Sequence, residues 1–281
     1  MAVPQKTRRE EVRTKIDYFD DPGVPLVPMV IGGPKKPKRQ PKIATPVTIR
    51  NVRGQEGNFT LDKQGFQYVK HKSKFTSFND AELVKREHYP ELEVMLREAL
   101  ENTKGLPKPS SIHMMTHIQR YSPVEGEAPK SPAGPLYGVH VDQSFSAAEG
   151  VAQRWLGDRA EGAAAEAATI TRDPLAVCDA QSVPDSDLVF VPVQFPDHKT
   201  EAVEVRPSSA DTHRWYFMDG QTPEDVLLFK QVDSYAAPGV PRRTPHCAFK
   251  DTGLEEGEGE PRQSIEIRAF VFFDQVSSDE A

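Results

Sequence analysis

Cysteine is almost missing from this 281-residue chain: Cys178 and Cys247 are the only two, far apart. That excludes a disulfide framework and the paired spacing of a structural zinc site. No apolar run approaches the length of a membrane span. The opening "MAVPQKTRREEVRTK" lacks the apolar core of a secretory signal. A reducing, cytoplasmic setting with no membrane partner is expected. Neither the Walker pattern nor GxGxxG occurs, so nucleotide folds built on a Gly-rich phosphate loop are excluded. There is no internal repeat.

Charge is present but uneven. Residues 1–75 carry 16 Lys/Arg against 7 Asp/Glu, and the rest 19 against 35, within a net charge of −7. The basic stretch "GGPKKPKRQPK" (32–42) has no interleaved aromatics to stack on bases, so it reads as a solvated connector. The acidic remainder disfavours a polyanion, and no nucleic-acid partner is expected. Residues 1–45, rich in Pro and Lys, are expected to form an extended N-terminal arm ahead of a domain over 46–281.

Within that domain, "PVTIRNVRG" alternates as a strand, and "GNFTLDKQGFQYVKHKS" (57–73) reads as a hairpin turning at Gly65. Asn79 and Glu82 suggest a capping box for "AELVKREH", with Pro90 restarting the helix through an apolar stripe that includes Leu92, Met95 and Leu100. "SAAEGVAQRWLGDRAEGAAAEAA" (146–168) reads as a helix or helical pair. Around these lie short strand candidates separated by turn residues, from "SIHMMTHIQRYS" to "SIEIRAFVFF". The pattern predicts a mainly β sandwich or barrel with helices outside.

The chemistry centres on "GPLYGVHVDQSFS" (134–146). In a strand, His140 and Asp142 share one face while Val139 and Val141 take the other. One imidazole and one carboxylate so placed supply two corners of an octahedron, and iron(II) oxygenases add a second His. The candidates for it are His198, His213 and His246. The strand after His246 favours it: alternation groups Arg262, Ser264, Glu266 and Arg268 on one face, and a buried Arg needs an anion. Arg262 and Ser264 together suit the far carboxylate of 2-oxoglutarate. Lys230 and Asp233 in "FKQVDS" are expected to pair, and Cys247 to be a small core residue.

"GPLYGVHVDQS", "DPLAVCDAQSV", "HRWYFMDGQTPEDVLLFKQVDS", "RRTPHCAF" and "PRQSIEIRAFVFF" together resemble the fungal hydroxylase/desaturase family of secondary-metabolite clusters (CmcJ- and AsaB-like) over about residues 46–275. The resemblance implies a double-stranded β-helix (jelly roll, cupin-like) with flanking helices. It also implies Fe(II) and 2-oxoglutarate as cofactors, with a small-molecule substrate and O2. His140, Asp142 and His246 would hold the metal, and Arg262 and Ser264 the cosubstrate. Arg120 in "HIQR" stands where the family has a basic residue; with Trp215 and Tyr216 it is carried as a catalytic candidate. Hydroxylation or desaturation is the expected reaction. The chain departs from the family at 159–173, where "RAEGAAAEAATITRDP" replaces an Asn-x-Trp-Arg-Pro strand. The alternative is a non-oxidative isomerase or cyclase on the same fold, or an inactive relative.

Overall fold

The computed structural model describes residues 9–33, 38–75, 78, 80–103, 106–128, 130–131, 133–148, 150, 169–253 and 259–274. Alternation builds its first edge. In β1 (Glu11–Phe19) Val12, Thr14, Ile16 and Tyr18 are buried while Glu11, Arg13 and Lys15 face solvent. This strand pairs antiparallel with β3 (Lys42–Asn51), from Glu11↔Arg50 to Phe19↔Lys42. The expected arm over 1–45 is therefore corrected in its middle. Residues 11–19 are extended, but they belong to the sheet, because their alternate side chains have a core to enter.

Among the described residues nine strands make one mixed sheet. In spatial order they are β1, β3, β10 (Trp215–Phe217), β7 (Leu175–Cys178), β12 (His246–Ala248), β6 (His140–Val141), β9 (Lys199–Val205), β8 (Leu188–Gln194) and β2 (Met29–Val30). Two ribbons complete the architecture: β4 (Phe66–Lys70) with β11 (Asp225–Phe229), and β5 (Pro109–Ser122) with β13 (Arg262–Phe273). Most neighbours are distant in sequence, as in a jelly roll, and the mainly β double-stranded β-helix with few helices is the observed class. Val139, Val141, Cys178, Trp215, Phe217 and Cys247 pack in the main core. Each large side chain there contributes about 1.5–3 kcal/mol by leaving water.

The hairpin expected over 57–73 does not form. β4 finds its partner 155 to 163 residues downstream, with Phe66↔Phe229 and Lys70↔Asp225 in register. Residues 56–64 are a short 3-10 turn followed by a hydrogen-bonded turn. Gly65 has φ +86°, and its carbonyl accepts from Lys230 N (2.9 Å) and Thr244 Oγ1 (2.7 Å). It ties three segments together rather than turning a hairpin.

The helix starts at Asp80, whose Oδ1 accepts from Glu82 N (2.9 Å) and Leu83 N (3.0 Å); the expected cap, Asn79, lies outside the described residues. The chain then runs through α1 (Ala81–Leu83), a π turn (Val84–His88) and α2 (Tyr89–Glu101), which opens with Pro90 in its first turn as expected. Pro90 has no N–H and would crowd the carbonyl four residues back, and the widened turn absorbs it. The helix expected over 146–168 lies almost wholly outside the described residues.

Candidate metal centre and cosubstrate cleft

The centre of the large sheet brings distant residues together. β12 lies between β7 and β6, and His246 stands directly opposite His140 in the antiparallel register. Val139 and Val141 pack into the core, which turns His140 and Asp142 the other way. The ligand atoms of His140, Asp142 and His246 all lie within 4.8 Å of one another. Each imidazole Nε2 is 3.7 Å from an Asp142 oxygen, His140 from Oδ1 and His246 from Oδ2.

Backbone carbonyls fix both rings. His140 Nδ1 bonds Gly138 O (2.8 Å), and His246 Nδ1 bonds Thr244 O (3.0 Å). A carbonyl only accepts, so the proton of each neutral ring sits on Nδ1 and the Nε2 lone pairs converge on one point. Burial, then the neighbouring His246, pushes the pKa of His140 down to about 4. Burial alone would raise Asp142, but His246 and Arg268 outweigh it and hold the carboxyl below its ordinary value. Two imidazoles offering Nε2 and one carboxylate, with the remaining directions facing a cavity, fit an octahedral divalent transition metal.

Asp142 is itself held. Gln231 Nε2 donates to Oδ2 (2.8 Å), and Arg268 Nη2 donates to Oδ1 (3.4 Å) and to Glu266 Oε1 (2.9 Å). Glu266 also pairs with Arg120, at 2.9 Å to Nη2. Arg268 and Glu266 were visible as one face of a strand, whereas Gln231 carried no signal beyond its place two residues after Phe229.

Arg262 lies in the same cavity, 4% exposed. Its Nε donates to Ser264 Oγ (3.3 Å) and its Nη1 to the Asp173 carbonyl. Among the described residues no carboxylate lies within salt-bridge distance of it. Burial, then the charge of Arg120, lowers its pKa to about 10. The Asp173 and Glu266 carboxylates act on it only from a distance, and a buried guanidinium with no direct salt bridge, beside a hydroxyl, fits the carboxylate of an entering ligand. Ser264 stands opposite Arg120 across the β5–β13 ribbon, so Arg120 reaches the cavity as well.

Trp215 and Tyr216 are corrected. Trp215 is buried in the main core, its Nε1 donating to Tyr18 Oη (2.9 Å), and Tyr216 packs on Phe59 and Phe66. Neither lines the cavity, because β10 sits between β3 and β7, where both faces of the strand are covered by core side chains. His213 is held by Tyr18 and Asp187, and His198 by Asp197 on the β8–β9 turn. Lys230 and Asp233 pair at 2.6 Å, and Cys247 is a core residue.

A family model described as "Oxidoreductase/YMDC permease-like domain" matches residues 16–272. The hydroxylase/desaturase efuI of Hormonema carpetanum is 32% identical, over 94% of this chain and 95% of its own length. The alpha-ketoglutarate-dependent dioxygenase phiK of a fungal species is 29% identical over 81% and 83%. The solved iron and alpha-ketoglutarate-dependent endoperoxidase NvfI shares the fold, with TM-score 0.72 at 19% identity, covering 95% of this chain and all of that one.

Proposed function

Because the chain belongs to the fungal hydroxylase/desaturase family, we propose that it is an iron(II)- and 2-oxoglutarate-dependent dioxygenase that hydroxylates or desaturates a small secondary metabolite. In this reading His140, Asp142 and His246 hold the metal, and Arg262 with Ser264 holds the far carboxylate of 2-oxoglutarate. When bound, iron(II) with 2-oxoglutarate and O2 would supply the oxidising power: CO2 is released, one oxygen atom ends in succinate and the other in the product hydroxyl or, where two hydrogens are removed to desaturate, in water.

The protein's own part is positioning. Gly138 O and Thr244 O keep Nδ1 protonated and Nε2 free, while Gln231 and Arg268 set the plane of the Asp142 carboxylate. Arg120 is braced by Glu266 and by the Gly134 carbonyl (3.0 Å) at the cosubstrate end. Apolar walls that include Leu136, Leu175 and Phe229 limit water beside the triad. The two free, buried thiols, Cys178 and Cys247, support a reducing cytoplasmic setting.

The single observation that carries the reading is the buried Arg262, which has no salt bridge among the described residues, in the same cavity as the His–Asp–His cluster. Anaerobic absorption spectroscopy tests it. Adding iron(II) and then 2-oxoglutarate should give a visible metal-to-ligand charge-transfer band. His246→Ala should abolish the band, and Arg262→Ala should require about 10–100-fold more 2-oxoglutarate to reach it. Iron binding without a band refutes the cosubstrate assignment and leaves a non-oxidative metal enzyme. A chain that binds no iron refutes the metal site.

A further inference from the structure

Among the described residues two that are not glycine have a positive φ: Asp211 at +50°, on the surface, and Asp173 at +44°, only 3% exposed. Asp173 also precedes Pro174, and a proline ring pushes its predecessor toward extended backbone at negative φ. Left-handed backbone is costly for any residue with a β-carbon. Two local preferences therefore oppose the conformation found. Such backbone persists only where its surroundings over-determine it, and it gathers at functional sites.

What holds Asp173 is the end of the β5–β13 ribbon. Ser122 and Arg262 face each other across that ribbon, and Asp173 bonds to both. Its Oδ2 accepts from Ser122 Oγ (2.6 Å), and its carbonyl accepts from Arg262 Nη1. Lys250 Nζ lies 2.9 Å from the other carboxylate oxygen. Burial alone would raise the Asp173 carboxyl, but the Ser122 and Lys250 contacts outweigh it and hold the pKa below its ordinary value. This arrangement matters for Arg262. A carbonyl carries no net charge, so it fixes a guanidinium without neutralising it, whereas a carboxylate in the same place would do both. Asp173 owns both groups, and it turns the carboxylate to Ser122 and Lys250 while the carbonyl meets Arg262.

We infer that Asp173 is a positioning residue for the cosubstrate: its carbonyl anchors Arg262, and its carboxylate, tied to Ser122 and Lys250, keeps that carbonyl in place. Arg262 then meets the far carboxylate of 2-oxoglutarate already oriented and with its charge unspent, which lowers the cost of ordering it on binding. The inference rests on the proposed assignment of Arg262 to that carboxylate.

Anaerobic titration of the full chain with iron(II), followed by the charge-transfer band, tests it with 2-oxoglutarate and 2-oxobutyrate, the same acid without its far carboxylate. Wild type should bind 2-oxoglutarate about 100-fold more tightly than 2-oxobutyrate. Asp173→Ala should lose about 10-fold in 2-oxoglutarate affinity, about 1.4 kcal/mol, while its 2-oxobutyrate and iron(II) affinities stay within about twofold. Asp173→Asn tolerates left-handed backbone and keeps an oxygen for Ser122, so it should stay within about threefold of wild type. Ser122→Ala cuts the tie and leaves Asp173 in place; it should lose about 3–10-fold for 2-oxoglutarate, and it decides the matter if Asp173→Ala does not fold. An undiminished preference for 2-oxoglutarate in Asp173→Ala or Ser122→Ala overturns the inference. So does an equal loss for both acids, which marks general damage to the site, or an Asn variant as weak as the Ala one. Wild type that binds the two acids alike, or neither, overturns the Arg262 assignment and this inference with it. A wild-type preference that persists in the variants refutes Asp173 alone and leaves the oxygenase reading standing.

Discussion

Gly65→Ala should damage the metal site from a residue that never touches it. At φ +86° the backbone is in the left-handed region, and a β-carbon there would sit 2.6 Å from Thr244 Oγ1 and 3.3 Å from the Ala180 side chain. Thr244 is fully buried and acts at both ends: Oγ1 donates to Gly65 O, and its carbonyl accepts from His246 Nδ1. Left-handed backbone costs an L-residue about 1–2 kcal/mol. Breaking the buried Thr244–Gly65 hydrogen bond adds about 1–3 kcal/mol. The sum is a loss of about 2–5 kcal/mol, read as a lower urea midpoint at unchanged slope. Because Thr244 orients His246, iron(II) affinity should fall about 10–100-fold as well. Gly23→Ala is the control, since Gly23 shares a positive φ (+65°) but has nothing within 4 Å of its β-carbon. It should lose only the backbone part, about 1–2 kcal/mol, with iron binding intact. If Gly65→Ala destabilises no more than Gly23→Ala, or binds iron normally, the Gly65–Thr244 contact does not hold His246 in place.

Legibility in the sequence followed the range of the interactions. Period-two alternation depends only on neighbouring residues, so the HVD face and the Arg262–Arg268 face were readable, as were most strands that contain them. Pairing partners were not: β4 reads as half of a local hairpin because its true partner, β11, is 155 to 163 residues away. β1 alternates as cleanly as any strand, but the Pro- and Lys-rich residues around it masked the pattern. Trp215 and Tyr216 showed the opposite failure. Aromatics near a polar motif suggest a pocket wall, yet which side of a central strand is core is decided by the sheets packed on it. Gln231 was illegible for a third reason, since an amide acquires its role only when folding sets it 2.8 Å from Asp142.

Three further outcomes follow. Gln231→Leu removes the donor to Asp142 Oδ2, so iron(II) affinity should fall about 10–100-fold in a chelator competition with little change in urea midpoint; unaltered affinity would show that the contact is incidental. Trp215→Phe loses the hydrogen bond to Tyr18 and should cost about 1–3 kcal/mol while the iron–2-oxoglutarate band stays the same; a weakened band would return Trp215 to the site. The last concerns acid. His213 accepts from Tyr18 Oη at Nδ1 (2.9 Å), so its single ring proton sits on Nε2, facing Asp187 Oδ2 (3.0 Å). Burial pushes its pKa below the ordinary value, although Asp187 opposes the shift. The folded chain then binds fewer protons than the unfolded one near that pH. Stability is full above about pH 6.5 and is lost as the pH falls toward the lowered folded value. His213→Phe should cost about 1–3 kcal/mol at pH 7.5 by stranding Tyr18 and Asp187. Its gap from wild type should then narrow toward pH 5, because only wild type still titrates at this position. His88, His117 and His140 are shifted in the same direction and leave the variant some acid sensitivity of its own. Urea midpoints across that range decide it, and a gap that stays constant or widens in acid means that His213 does not hold Tyr18 through a neutral ring.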